Sequence, residues 1–176
     1  MSSKIQVVIA MGSKSDLKTM LQAADILAEF EVGTSVQIVS AHRTPKLLES
    51  SVNHWERSGA QVIIAGAGGA AHLPGMLAAF SVLPVIGVPV GSRAMNGLDA
   101  LLSVSQMPRG VPVATVAVDN AFNAGLLAVQ ILSTADDGNG SKLKKELMAY
   151  KKGLRRKVTK DRLCLGRLGV RKFLAR

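Results

Sequence analysis

Five short runs of apolar, largely β-branched residues recur at steady intervals along the 176-residue chain, at 5–10, 34–39, 61–65, 84–90 and 112–118. Most lack the in-and-out alternation of a half-solvated strand, as expected of strands buried on both faces. Between them the apolar spacing changes to three and four. Leu17, Met20, Leu21, Ala24, Leu27 and Ala28 share one helical face, with Asp16 placed to cap it. Thr44 is placed to cap the next helix, with Pro45 at its first position and Leu47, Leu48 and Val52 on one side. Helical patterns follow at 74–80, 98–105 and 121–132. Strands alternating with helices at this interval build βαβ units, and so a parallel sheet covered on both sides. The expected fold is α/β, a flavodoxin-like three-layer α/β/α sandwich with a central parallel sheet and a C-terminal helical extension. Strand order is not contained in the pattern.

A chain of this length forms one domain with a proper core. Apolar residues make up 48% but aromatics only 3%, which fits small side chains letting helices pack closely on a sheet. No apolar run has the length of a membrane span, and residues 5–11 begin too soon and end too early for a signal peptide. The single cysteine, Cys164, rules out an internal disulfide framework and Cys-based zinc sites, which suits a reducing, cytoplasmic setting. The net charge of +10 is unevenly spread. Residues 1–141 hold eight Lys/Arg against ten Asp/Glu, a balance of −2, whereas residues 142–176 hold fourteen against two, a balance of +12. Any argument for nucleic acid or an anionic surface therefore rests on the tail alone.

In such a sheet, ligands bind beyond the carboxyl ends of the strands, and the polar or glycine-rich loops fall there. Gly12-Ser13-Lys14-Ser15-Asp16 follows the first run and offers a turn, two hydroxyls and a carboxylate where a helix begins. That suits a phosphate or a ribose hydroxyl, and equally a plain helix cap. It is neither a Walker A loop nor G-x-G-x-x-G. Ser40-Ala41-His42-Arg43-Thr44-Pro45 follows the second run and sets a proton carrier beside a fixed positive charge. The third loop is Gly66-Ala67-Gly68-Gly69-Ala70-Ala71-His72-Leu73-Pro74, nearly devoid of side chains. Gly66, Gly68 and Gly69 are free to take positive φ, Pro74 marks the first turn of a helix, and His72 is the one acid–base group. Ser92 and Arg93 are placed to close over a ligand. His54, Arg109, Asp119 and Asn120 read as packing, solvated or capping residues. No His/Asp/Glu spacing resembles a metal site, and no Ser-His-Asp order is convincing.

Taken together these loops resemble the class I N5-carboxyaminoimidazole ribonucleotide mutases, the PurE-type enzymes of purine synthesis. The pieces are Met11-Gly12-Ser13-Lys14-Ser15-Asp16, Ser40-Ala41-His42-Arg43-Thr44-Pro45, the glycine run, Pro84-Val85-Ile86-Gly87-Val88-Pro89-Val90 and Gly97-Leu98-Asp99-Ala100-Leu101-Leu102-Ser103. Gln106-Met107-Pro108 and Asn123-Ala124-Gly125-Leu126-Leu127-Ala128 extend a match covering about residues 5–158, in family order. The resemblance implies an isomerase that moves a carboxylate from the exocyclic nitrogen of an aminoimidazole ribonucleotide to ring carbon C4, with no metal or organic cofactor. It implies His42 as general acid/base. Ser13, Ser15, Asp16 and Arg43 would bind the ribose phosphate, and Ser40, Gly68, His72 and Leu73 would line the base and carboxylate region. Gly12, Ala41, Gly69 and Ala70 complete the expected substrate-binding set.

Lys14 departs from the family, where many relatives carry aspartate, and is expected to adjust charge near the phosphate without abolishing activity. Arg43, where class II relatives tend to carry lysine, favours the mutase over direct carboxylation of aminoimidazole ribonucleotide by CO2. A non-catalytic ribonucleotide-binding module is the remaining rival. The resemblance also implies a homo-octamer whose C-terminal helices pack on neighbours, and Leu143, Leu147, Tyr150 and Leu154 have the spacing of such a helix. The expected division is a mutase domain over 1–158 and a flexible basic tail over 159–176, running past the usual family end. Gly166 and Gly169 argue against helix in that tail, and the tail is the one segment that leaves room for nucleic acid as a partner.

Overall fold

The computed structural model describes residues 4–92 and 95–175. The chain divides into two compact units, Met1–Leu132 and Ser133–Arg176. In the first, the sheet is built outward from β1 (Val7–Met11), all five residues of which are fully buried. β1 pairs in parallel with β2 (Thr34–Ile38) on one side and β3 (Val62–Gly68) on the other. β3 pairs with β4 (Val85–Val90), and β4 with β5 (Ala114–Thr115), giving the order β2-β1-β3-β4-β5. The chain steps one way from β1 to β2 and then reverses to β3. That reversal opens a crevice at the carboxyl ends of β1 and β3.

Alternate residues of each strand serve opposite faces. Val8, Ala10, Ile63, Ala65 and Ala67 meet Leu48, Val52 and Trp55 of α2 (Pro45–Arg57), Leu73 and Leu77 of α3 (Leu73–Phe80), and Ala100 and Val104 of α4 (Leu98–Ser105). The other face carries α1 (Leu17–Glu29) and α5 (Ala121–Leu132), which bury Met20, Ala23, Ile26 and Leu27 on one and Ala121, Ala124 and Ala128 on the other. Each fully buried Leu, Ile or Met here contributes roughly 1.5–3 kcal/mol. A Cβ at Gly66 would strike Met20 Sδ, so this glycine serves close helix–sheet packing.

The structure differs from the sequence expectations in several places. β2 is an edge strand whose Val36 and Ile38 are exposed, and so is not buried on both faces. β5 forms only two of the seven residues expected over 112–118. β3 continues through Gly66, Ala67 and Gly68, because β4 extends beside it as far as Val90. Gly66 and Gly68 consequently hold extended strand geometry, and of the three loop glycines only Gly69 has positive φ, at 64°. Neither Asp16 nor Thr44 makes a side-chain cap bond, although both stand at cap positions.

The second unit consists of α6 (Gly138–Leu168) and α7 (Val170–Leu174). Asp137 caps α6, its Oδ1 accepting from Gly140 N at 2.6 Å. Leu143 and Leu147 are buried, Tyr150 is half-buried and Leu154 is exposed. Contrary to expectation, Gly166 does not break the helix, which runs without interruption across 158 and ends at Gly169, where φ is 72°. Among the described residues no helix is long and apolar enough to cross a membrane.

Candidate active site

Four loops at the carboxyl edge of the sheet converge. After β1, Lys14–Asp16 forms a short 3-10 turn in which Ser13 Oγ accepts from Ser15 N at 3.3 Å and Ser15 Oγ donates to Asp16 Oδ1 at 2.9 Å. α1 starts directly behind this turn, with Leu17 N–H donating to Lys14 O, so the positive end of the helix dipole lies at the loop. After β2, Thr44 Oγ1 accepts from Ser40 N and donates to Ser40 O, each at 3.0 Å, closing the five-residue loop on itself. Thr44 clips the loop in place of capping the helix.

Arg43 ties the two loops together. Its Nε donates to Ser40 Oγ at 3.3 Å, and a terminal guanidinium nitrogen donates to Gly12 O at 2.8 Å. A guanidinium has five N–H donors, so further donors remain for an anion. After β3, the left-handed Gly69 turns the chain and the His72 N–H donates to Ala70 O at 2.9 Å, setting His72 at the start of α3 with Pro74 in the first turn. His72 Nδ1 lies 2.7 Å from His42 Nε2, the rings nearly perpendicular at 85° with centroids 4.9 Å apart. One of those facing nitrogens carries hydrogen and the other offers its lone pair.

These loops enclose a cleft of about 660 Å³. It is lined by Gly12, Ser13, Ser15, Asp16, Ser40, Ala41, His42, Arg43, Gly68, Gly69, Ala70, His72 and Leu73, so the residues expected to bind substrate or carry the proton all face one cleft. Ala67, Val90, Gly91 and Ser92 complete the lining. Ser92 stands at the cleft as expected, and Arg93 lies outside the described residues. Val90 and Gly91 were missed because neither bears a reactive group; their position at a strand's carboxyl end was the one available signal. His54 lines a separate groove beside Trp55, and Asn120 Oδ1 caps α5 by accepting from Asn123 N at 3.0 Å.

The cleft thus combines one guanidinium, one carboxylate, four hydroxyls, two helix N-termini and a pair of imidazoles, over a floor nearly free of side chains. The helix ends and Arg43 favour an anion, the small residues admit a flat ring against the backbone, and the imidazoles move protons. Among the described residues no group of three or more His, Cys, Asp and Glu is arranged to hold a metal ion.

Comparison with known proteins agrees in one direction. The family model described as AIR carboxylase matches residues 6–157. The N5-carboxyaminoimidazole ribonucleotide mutase of Pyrococcus horikoshii is 51% identical over 174 residues, covering 99% of this chain and 96% of that protein. That alignment takes in most of the basic segment 159–176, which therefore does not run past the end of every relative. The mutase of the same name from Thermotoga maritima is 50% identical, covering 96% of both chains. Among solved structures, Treponema denticola PurE superposes with a TM-score of 0.80 at 28% identity, over 94% of this chain and 99% of that one.

Proposed function

The chain belongs to the AIR carboxylase family and acts as an N5-carboxyaminoimidazole ribonucleotide mutase in purine biosynthesis, and on that premise we propose that the cleft at the carboxyl edge of the sheet is its active site, with His42 as the general acid/base. The observation that carries this reading is the hydrogen-bonded His42–His72 pair beside the Arg43-tied loops. Ser13, Ser15, Asp16 and Arg43, with Gly12, hold the ribose phosphate. Ser40, Ala41, Gly68, Gly69, Ala70, His72 and Leu73 surround the aminoimidazole and its carboxylate.

The proton inventory explains why one imidazole suffices. As the bond between the exocyclic nitrogen and the carboxylate carbon breaks, CO2 departs and His42 gives that nitrogen a proton. Ring carbon C4 attacks the trapped CO2, and the C4 proton returns to His42 as the aromatic ring is restored. Nothing is consumed, so a single group that donates and then accepts completes the cycle. The close floor keeps CO2 beside C4, where proximity replaces a bimolecular encounter. His72, hydrogen-bonded to His42, orients that imidazole before the substrate enters.

The mutase works in the cytoplasm, as a homo-octamer acting on a small-molecule substrate, and residues 159–176 take no part in the chemistry. The test supplies substrate labelled with ¹³C in its carboxylate, in unlabelled bicarbonate without ATP or metal. Retention of label in the C4-carboxylated product is expected. Loss of label together with a rate that follows bicarbonate would establish direct carboxylation instead.

A further inference from the structure

One wall of the cleft stands where the sheet runs out of strand. β5 pairs with β4 through two residues only, Ala114 beside Ile86 and Thr115 beside Gly87. Past them, Val116 N donates to Gly87 O at 3.1 Å and Asp119 N to Pro89 O at 2.9 Å. The next rung passes to a side chain, with Gly91 N donating to Asp119 Oδ1 at 2.9 Å. Asp119 therefore grips the chain on both sides of Val90, a lining residue, while Gly91 and Ser92 continue the wall. The same Oδ1 accepts from Thr19 Oγ1 at 3.4 Å, in the first turn of α1, directly after the Ser13–Asp16 loop.

This arrangement is built around the carboxylate. Asp119 is held at φ 57°, a left-handed conformation that glycine adopts far more easily. Glycine would serve the backbone better, and what it lacks is the acceptor. A Cβ at Gly91 would in turn lie 2.6 Å from Asp119 Oδ2, so any side chain there must displace the carboxylate. We propose that Asp119 is a positioning residue for the mutase reaction: its carboxylate fixes the wall at 90–92 against the first substrate-binding loop and so sets how tightly substrate is held. The proposal rests on the cleft being the substrate site.

The test compares Asp119→Gly, Asp119→Asn and, as a control on the cleft itself, Arg43→Ala. Asp119→Gly relieves the left-handed strain, so its melting temperature should be no lower than wild type, yet its KM should rise roughly tenfold with a smaller change in kcat. Asp119→Asn keeps an oxygen acceptor and should return KM to within about threefold of wild type. Gly91→Ala disturbs the same contact from the other side and should raise KM alone, but add little on top of Asp119→Gly. An unchanged KM in Asp119→Gly, or equal impairment of Asp119→Asn, would overturn the proposal while leaving the cleft intact if Arg43→Ala is impaired. An unchanged KM in Arg43→Ala would remove the cleft reading and this proposal with it.

Discussion

His42 and His72 are thirty positions apart and meet at 2.7 Å because the loops after β2 and β3, the two strands that flank β1, reach towards each other across its carboxyl end. A contact that short leaves each ring little freedom. Replacing His72 with Ala frees the His42 ring and should lower kcat roughly tenfold or more, with a smaller loss in the affinity for a substrate analogue, since His72 also lines the cleft. Arg43→Lys should act on binding: an ammonium cannot donate to Gly12 O and Ser40 Oγ as a fork does, and KM should rise roughly tenfold. Residues with chemistry of their own, such as Ser13, Arg43 and His72, were legible in the sequence as neighbours at the carboxyl edge of the sheet, and they line one cleft. Asp119 was not, because it acts through a backbone N–H of Gly91 that only the folded sheet brings near. Asp16 and Thr44 read as helix caps for a sound reason, but closer partners, Ser15 Oγ and the Ser40 backbone, took their side chains.

Among the elements, α4 and α5 occupy the spans their spacing predicts, since helix periodicity over eight or more residues is a strong signal. The strands were harder. An apolar run shows that a segment is buried, but not whether a neighbour pairs with it along its length. β5 stops after two residues, and β3 gains three through a run that reads as a loop. The glycines in that run have two uses that sequence cannot separate: Gly66 accommodates Met20, while Gly69 turns the chain. The first use is testable by stability alone. Gly66→Ala should lose about 1–3 kcal/mol in chemical denaturation, because Met20 is fully buried and must move. Met20→Val, with a shorter side chain, should recover much of that loss in the double variant.

At the scale of the molecule, the sequence showed a parallel α/β sheet and a basic C-terminal region but not the order β2-β1-β3-β4-β5, which depends on pairings that local pattern does not encode. The charge break and a helix near residues 141–157 were legible, whereas the helix's full length was not: α6 carries most of the basic residues on 31 continuous helical positions, passing through Gly166, a residue whose helix propensity argues against it. Deleting residues 159–176 should leave kcat/KM within about twofold of wild type and leave RNA retention at low salt unchanged, and sedimentation of the full chain should report an octamer. The most direct measurement is conversion of freshly prepared N5-carboxyaminoimidazole ribonucleotide, followed by ultraviolet absorbance without bicarbonate, ATP or metal, for wild type and His42→Asn side by side. Wild type should convert the substrate, and His42→Asn should bind it while turning over about 10²–10⁴-fold more slowly. A His42→Asn protein that converts substrate at a rate close to wild type would contradict the assignment of His42 as the proton carrier.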